Sequence, residues 1–258
     1  MRPLVELDGG AIDAIFTDID DTLTTEGLVE AEAFAAIWDL HRANIPVVLV
    51  TGRPAGWCDH LARMWPVAGV IGENGAFWMR YLREARRFES IFVLEQQERD
   101  AQVARLATVK DAILAAVPNA RVASDQPFRI HDLAIDFCED VVPPLSAAEI
   151  DRIVAVFEAH GAIAKVSSIH VNGWFGRYDK LGMIERFARE VLGMPDLSRA
   201  AYVGDSPNDE PAFRAFEHAI GVANVRDFAA RLVHPPKLVT EARGGRGFAE
   251  VAAQVLRR

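Results

Sequence analysis

The chain has 258 residues, half of them hydrophobic, enough to bury a substantial core in one large domain or two smaller ones. Lysine and arginine number 28 against 37 aspartates and glutamates, and the formal charge of −9 would repel a phosphate backbone, so no nucleic-acid partner is expected. No apolar run is long enough to span a bilayer, Glu6, Asp8 and Asp13 interrupt the segment where a signal peptide would be apolar, and Cys58 and Cys138 lie outside any CxxC pair. A cytoplasmic protein with free thiols and no membrane partner, monomeric or homodimeric, is the expectation.

The first third alternates short apolar runs with helical patterns. "AIFTD" precedes a helical face through Phe34, Ile37, Trp38 and His41, where Trp38 is expected to pack; "IPVVLVTG", a second helical stretch and "AGVIGENG" follow. Continuous apolar strands separated by helices indicate a parallel sheet covered on both faces. From about Arg83 to Tyr178 the texture changes. An amphipathic helix runs through Val103, Leu106, Ile113 and Val117, an alternating strand "LAIDF" follows, and the box "SAAE" from Ser146 to Glu149 opens a second helix ahead of the β-type runs "AIAKVSS" and "IHVNGWF". The last third resumes the first rhythm. A helix spans about Lys180 to Val191, then come "AAYVGD", a helix from about Pro207, "HAIGVAN", a helix near Phe228, "KLVTE" and a closing helix from Phe248. The fold class is α/β, a doubly wound parallel sheet built from residues 1–82 and 179–258, with residues 83–178 inserted as an α+β cap. "GGRG", Gly244 to Gly247, lacks the dinucleotide-binding spacing and is expected to be a loop.

In open parallel sheets ligands bind beyond the carboxyl ends of the strands. Asp18, Thr51 and Asp205 each end an apolar run, and Lys180 opens the helix that re-enters the sheet domain, so four remote stretches are expected at one place. Asp18 and Asp20 lie two residues apart, and carboxylates ~4 Å apart repel by roughly 4 kcal/mol at an effective dielectric near 20. Asp205 and Asp209 add to that charge, so a cation is required. Oxygen donors without a nearby His or Cys cluster favour Mg²⁺ over zinc. An EF-hand is excluded because Leu23 and Val29 stand where its Gly and Glu would be. Such a site suits phosphoryl transfer: one Asp attacks phosphorus while a neighbouring Asp moves protons, and Thr51, backbone N–H groups of "VTGR" and Lys180 bind phosphate oxygens.

"DIDDT", "TGR", "YDK" and "GDSPND" occur in the order of the four motifs of the haloacid dehalogenase superfamily, and the chain resembles its phosphatase branch. The resemblance implies Asp18 as nucleophile, Asp20 as general acid/base, and Mg²⁺ held by Asp18, the Asp20 main-chain carbonyl and Asp205, with Asn208 and Asp209 supporting the metal or Lys180. The insertion is similar to the α/β cap of sucrose-phosphatase-like, mannosyl-phosphoglycerate-phosphatase-like and phosphomannomutase-like members, and "GENGA", with Asn74, looks like the "NGA" stretch of that subgroup. Asp21 departs from the pattern, since many members carry Gly or Asn there, and its role stays open.

Thr51, Gly52, Arg53, Asn74 and Lys180 are therefore candidates for binding the phosphate end of a small phosphorylated metabolite, and His170, Asn172 and Trp174, with Arg177 after them, for binding a sugar. Those cap residues are equally compatible with an ordinary cap surface, and "SPND" is also a good helix start, with Ser206 as N-cap and Pro207 first in the helix. The expected activity is a Mg²⁺-dependent phosphomonoester hydrolase. The alternatives are a phosphosugar mutase using the same site, a receiver-type phosphoacceptor domain, and a binding protein without turnover.

Overall fold

A computed structural model describes residues 1–257. The apolar runs Ala14–Thr17, Val47–Val50 and Ala200–Gly204 are buried along their whole length, as β-branched strands covered on both faces should be. They lie in a nine-stranded sheet in the order Arg2–Pro3, Leu238–Val239, His218–Gly221, Ala200–Gly204, Ala14–Thr17, Val47–Val50, Gly69–Gly72, Phe77–Leu82, Arg87–Phe92. The first seven run parallel and the last two form an antiparallel hairpin at one edge. Helices α1 (Ala31–Arg42), α2 (Ala55–Met64) and α7 (Gly244–Val255) bury their apolar stripes on one face, and α5 (Lys180–Glu190) and α6 (Glu210–Ala215) cover the other. This is the doubly wound sheet expected from the sequence. Chain order reverses between Ala14–Thr17 and its neighbour Ala200–Gly204, a switch point whose crevice opens at the strands' carboxyl ends.

The inserted module carries a four-stranded antiparallel sheet ordered Ile163–Val166, His170–Trp174, Leu133–Asp136, Arg121–Val122. Helices α3 (Gln96–Ala116) and α4 (Ala147–Ala159) pack on one of its faces through Leu106, Ile113, Ile153 and Phe157. The capping box at Ser146 and Glu149 forms as expected, with Glu149 Oε2 accepting from the Ser146 N–H at 2.8 Å. The other face of this small sheet carries His170, Asn172 and Trp174 toward the larger domain.

Four local expectations need correction. The strand Arg87–Phe92, assigned with the cap, pairs residue for residue with Phe77–Leu82 in the main sheet, so the inserted helix and small sheet begin beyond it. The buried stripe of α1 runs through Ala33, Ala36, Ile37 and Leu40, because small residues admit α7 closely; Trp38 lies outside it, 38% exposed, with the Arg42 guanidinium over its ring. "GGRG" is the first turn of α7 rather than a loop. A Cβ at Gly245 would stand 2.8 Å from the Leu23 carbonyl and one at Gly247 2.6 Å from the Ala242 carbonyl, so glycine there serves close approach and not flexibility. The expected helix near Phe228 is the 3₁₀ segment Ala223–Phe228, and the one from Pro207 is a 3₁₀ turn, Pro207–Asp209, leading into α6. Cys58 and Cys138 are free thiols, and no helix among the described residues is long and apolar enough to cross a membrane.

Candidate active site

The Ala14–Thr17 strand delivers Asp18 to the crevice. The Asp18 N–H continues the parallel ladder to the Val203 carbonyl at 2.9 Å, which fixes the carboxylate beside the loop that carries Asp205. Lys180 arrives from the opposite side of the sequence, 162 residues away, and its Nζ lies 2.7 Å from Asp18 Oδ1 and 3.5 Å from Asp209 Oδ1. The cation is positioned locally by Asp179, whose carboxylate caps α5 by accepting the Gly182 N–H at 2.8 Å. Burial drives Asp18 up to about 8 against the pull of Lys180, with Asp209 and Asp20 adding repulsion. Asp205 is pushed up too, by burial first and then by Asp209 and Asp18. Burial alone would lower Lys180, but the Asp18 and Asp209 charges outweigh it and keep the ammonium protonated.

The remaining motif residues divide by what they touch. Asp209 accepts from the Tyr202 hydroxyl at 2.6 Å and from the Asp205 N–H at 3.0 Å, and shares a capping box with Ser206. Its carboxylate therefore holds the loop and faces Lys180. Asn208 Oδ1 accepts from Ser206 Oγ at 2.8 Å. Thr51 is fully buried, and its hydroxyl accepts the Arg53 N–H at 3.0 Å, a turn contact that shapes the loop. A Cβ on Gly52 would crowd Asn74 Oδ1 at 3.3 Å and Asn172 Oδ1 at 3.6 Å, so the absent side chain lets core and cap amides meet. Asp21 sits at φ 57°, the left-handed region where Gly and Asn are eased and Asp is tolerated. Its carbonyl accepts from Asn224 Nδ2 at 2.6 Å, while burial pushes its carboxyl up and the neighbouring Ser168 of the cap opposes that rise.

Arg53 does not stand free for a phosphate. Its Nε lies 3.0 and 3.1 Å from the two Asp20 oxygens, its Nη2 2.8 Å from Glu139 Oε1, and its plane 4.5 Å from the centre of the Trp57 ring. Glu139, from the cap, also lies 2.9 Å from His170 Nε2, though off the angle of a hydrogen bond. His170 and Asn172 face Asp18 and Asp20 across the cleft, as expected, together with Ser167 and Ser168 of the turn before them. Trp174, 1% exposed and stacked on Tyr178 with ring centres 5.8 Å apart, instead lines an adjoining cavity of about 70 Å³ with Asn74, Lys180 and Asn208, and an open groove of about 560 Å³ with Arg177. The cleft over Asp18 itself encloses only about 10 Å³, room for at most about one water. Ligand binding therefore requires the cap to move away.

The strand-end aspartates thus meet Lys180 beneath the inserted module. Residues 15–97 match the family model of haloacid dehalogenase-like hydrolases. The whole chain, cap included, superposes on solved structures: a protein of Thermoplasma acidophilum (TM-score 0.73, 17% identity, 95% of this chain and 98% of that one) and the sucrose-phosphatase of Synechocystis in complex with sucrose and phosphate (0.64, 17%, 99% and 98%). The match to haloacid dehalogenase-like hydrolases covers the first third of the chain, and the fold over its whole length is that of these solved structures. A further superfamily structure with this fold is a subclass IIB sugar phosphatase (0.61, 14%, 94% and 96%).

Between the core and the cap lie polar residues that no motif marked. Glu73 is fully buried and accepts main-chain N–H groups from Ala55, Ile130, His131 and Asp132 at 2.6–3.2 Å. Burial pushes its carboxyl up to about 8, the Asp132 charge adds to that, and Arg129 and the amide donors oppose it. Arg129 binds both Asp125 oxygens at 2.9 and 3.0 Å, Asp132 at 2.9 Å and the Gly52 carbonyl at 2.8 Å. Glu73 was within reach of sequence reasoning, inside "GENGA"; the acids at 125, 132 and 139 and Arg129 had no signal, being isolated charges in loops.

Proposed function

We propose that this protein is a phosphomonoester hydrolase that forms an aspartyl-phosphate at Asp18, acting on a small phosphorylated sugar or a related metabolite. The observation that carries the reading is the 2.7 Å approach of Lys180 to the strand-end carboxylate of Asp18, in a crevice shared with Asp205. The sucrose and phosphate bound by the Synechocystis relative support a sugar phosphate as substrate.

An Asp18 oxygen attacks phosphorus in line, the ester P–O bond breaks, and the leaving alkoxide takes a proton from Asp20. Asp20 then removes a proton from water, which attacks the aspartyl-phosphate, releases inorganic phosphate and restores Asp18. Lys180 holds the phosphoryl oxygens and tempers the Asp18 charge. Asp20 must first leave the Arg53 guanidinium that holds both its oxygens.

Among the described residues no three His, Cys, Asp or Glu side chains form a ready-made cage for a metal. That fits Mg²⁺, which keeps several waters and uses one or two carboxylates rather than an all-protein cage. Asp18 and Asp205 are two such carboxylates, both raised by burial and by repulsion from neighbouring carboxylates, Asp209 foremost, that a cation would relieve. The Asp20 main-chain carbonyl would complete the protein's share. When bound, the ion would screen the carboxylates from the substrate phosphate.

The test is phosphate release from an aryl phosphate and from hexose phosphates, by the native enzyme with Mg²⁺, the same enzyme in excess chelator, and Asp18→Asn. Release is expected only in the first case, with the Asn variant folded and reduced by roughly a thousandfold or more. Undiminished turnover by Asp18→Asn overturns the nucleophile assignment. A hexose isomer in place of free phosphate would make the protein a mutase.

A further inference from the structure

Three cations buried beside the cleft are engaged by acids of this chain. Lys180 serves Asp18 and Asp209, Arg129 serves Asp125 and Asp132, and Arg53 is shared among Asp20, Asp125 and Glu139. Of these, Lys180 alone reaches the nucleophile, and Lys165 stands at the adjoining cavity it lines with Lys180 and Asn208. The cap surface facing Asp18 supplies hydroxyls and an amide from Ser167, Ser168 and Asn172, groups that match sugar or polyol hydroxyls. His170, the one imidazole on that surface, stands against Glu139. Glu139 thus occupies the two groups that would otherwise welcome a carboxylate or a second phosphate.

We propose that Glu139 is a specificity-determining residue: by holding Arg53 and His170, it restricts the enzyme to phosphate esters whose leaving group carries no second anion. The inference rests on the phosphatase reading above and narrows its substrate class. Glu139 acts as a positioning residue through Arg53, and it discriminates by repulsion against the wrong substrate rather than by attraction to the right one. The geometry favours this over a purely structural latch. A latch alone would need only Arg53, whereas Glu139 also stands 2.9 Å from His170 Nε2, and His170 lines the cleft.

The test compares kcat/KM for a matched pair, glycerol 3-phosphate and 3-phosphoglycerate, which differ by a hydroxymethyl against a carboxylate, with p-nitrophenyl phosphate as the reference ester. Native enzyme should prefer the neutral member by at least about tenfold, the scale of a like-charge juxtaposition. Glu139→Gln should shrink that ratio toward unity, because Arg53 and His170 become available to the carboxylate, and Glu139→Asp, which keeps the charge, should restore it. Because each ratio is taken within one protein, a general loss of activity does not affect it. Should Glu139→Gln fail to fold, the native ratio still decides. Equal treatment of the pair by native enzyme that hydrolyses the reference ester, including no release from either, overturns this inference alone. An unchanged ratio in folded Glu139→Gln overturns the role of Glu139. No hydrolysis of any of the three overturns the phosphatase reading together with it.

Discussion

His131 lies at the junction of core and cap with both ring nitrogens unpartnered, among the rings of Phe77, Phe92 and Tyr178 at centre distances of 6.0, 5.9 and 6.2 Å. Burial first, and the Arg99 charge second, hold it down at about 4. With the folded value below the ordinary 6.5, the unfolded chain binds the extra proton between these limits. The stabilisation from keeping this ring neutral is complete above pH 6.5 and is lost as pH falls toward 4. The full shift corresponds to roughly 3 kcal/mol. His131→Phe removes no hydrogen bond, so it should leave stability at pH 7 within about 1 kcal/mol and flatten its decline between pH 6.5 and 4, as urea unfolding at several pH values will report. The apolar ring cluster around position 131, assembled from residues 39 to 54 positions away, was not visible in the order of the chain.

Among the elements, α5 bears most directly on catalysis because its first residue is Lys180. The loop Glu73–Gly75 presses on that helix start: Gly75 has φ 98°, and a Cβ there would lie 2.1 Å from the Asp179 carbonyl oxygen. Gly75→Ala combines backbone strain with a clash against main chain, which cannot swing aside. It is expected to destabilise the fold by more than about 1 kcal/mol. It should also lower kcat by roughly 10- to 100-fold through displacement of Lys180. Denaturant unfolding and steady-state kinetics on the folded fraction check both. The "NGA" resemblance singled out this stretch for Asn74, while the contact between Gly75 and Asp179 spans two motifs and only the folded chain shows it. The glycines of α7 teach the same lesson. Their local propensity argues for a loop, and tertiary close packing makes them helix.

Across the whole molecule, core and cap are joined by buried charge as well as by the apolar contacts around Tyr178 and Trp174. Arg129, buried and hydrogen-bonded to Asp125, Asp132 and the Gly52 carbonyl, ties the cap to the loop after Thr51, while Glu73 gathers the main-chain N–H groups of residues 130–132. Arg129→Met retains the aliphatic stem and abandons two buried carboxylates. A loss of about 3–5 kcal/mol is expected, the usual result of removing one partner from a buried ion pair. Thermal unfolding that matches the native protein would show that the junction does not depend on this residue.

The strands at 14–17, 47–50 and 200–204, the inserted module, and the gathering of Asp18, Thr51, Lys180 and Asp205 at one end of the sheet were all legible, because each rests on local periodicity, on caps, or on the rule that parallel strands share their carboxyl edge. What Arg53 binds was not. Its choice of Asp20 and of Glu139, 86 residues distant, over an open phosphate seat depends on where the cap comes to rest. The same dependence stacked Trp174 on Tyr178, at the edge of the cavity beside Lys180. Neighbouring residues in a chain determine its elements and their edges. Which charges neutralise one another is decided only when distant elements pack, because a buried ion takes the nearest partner in space.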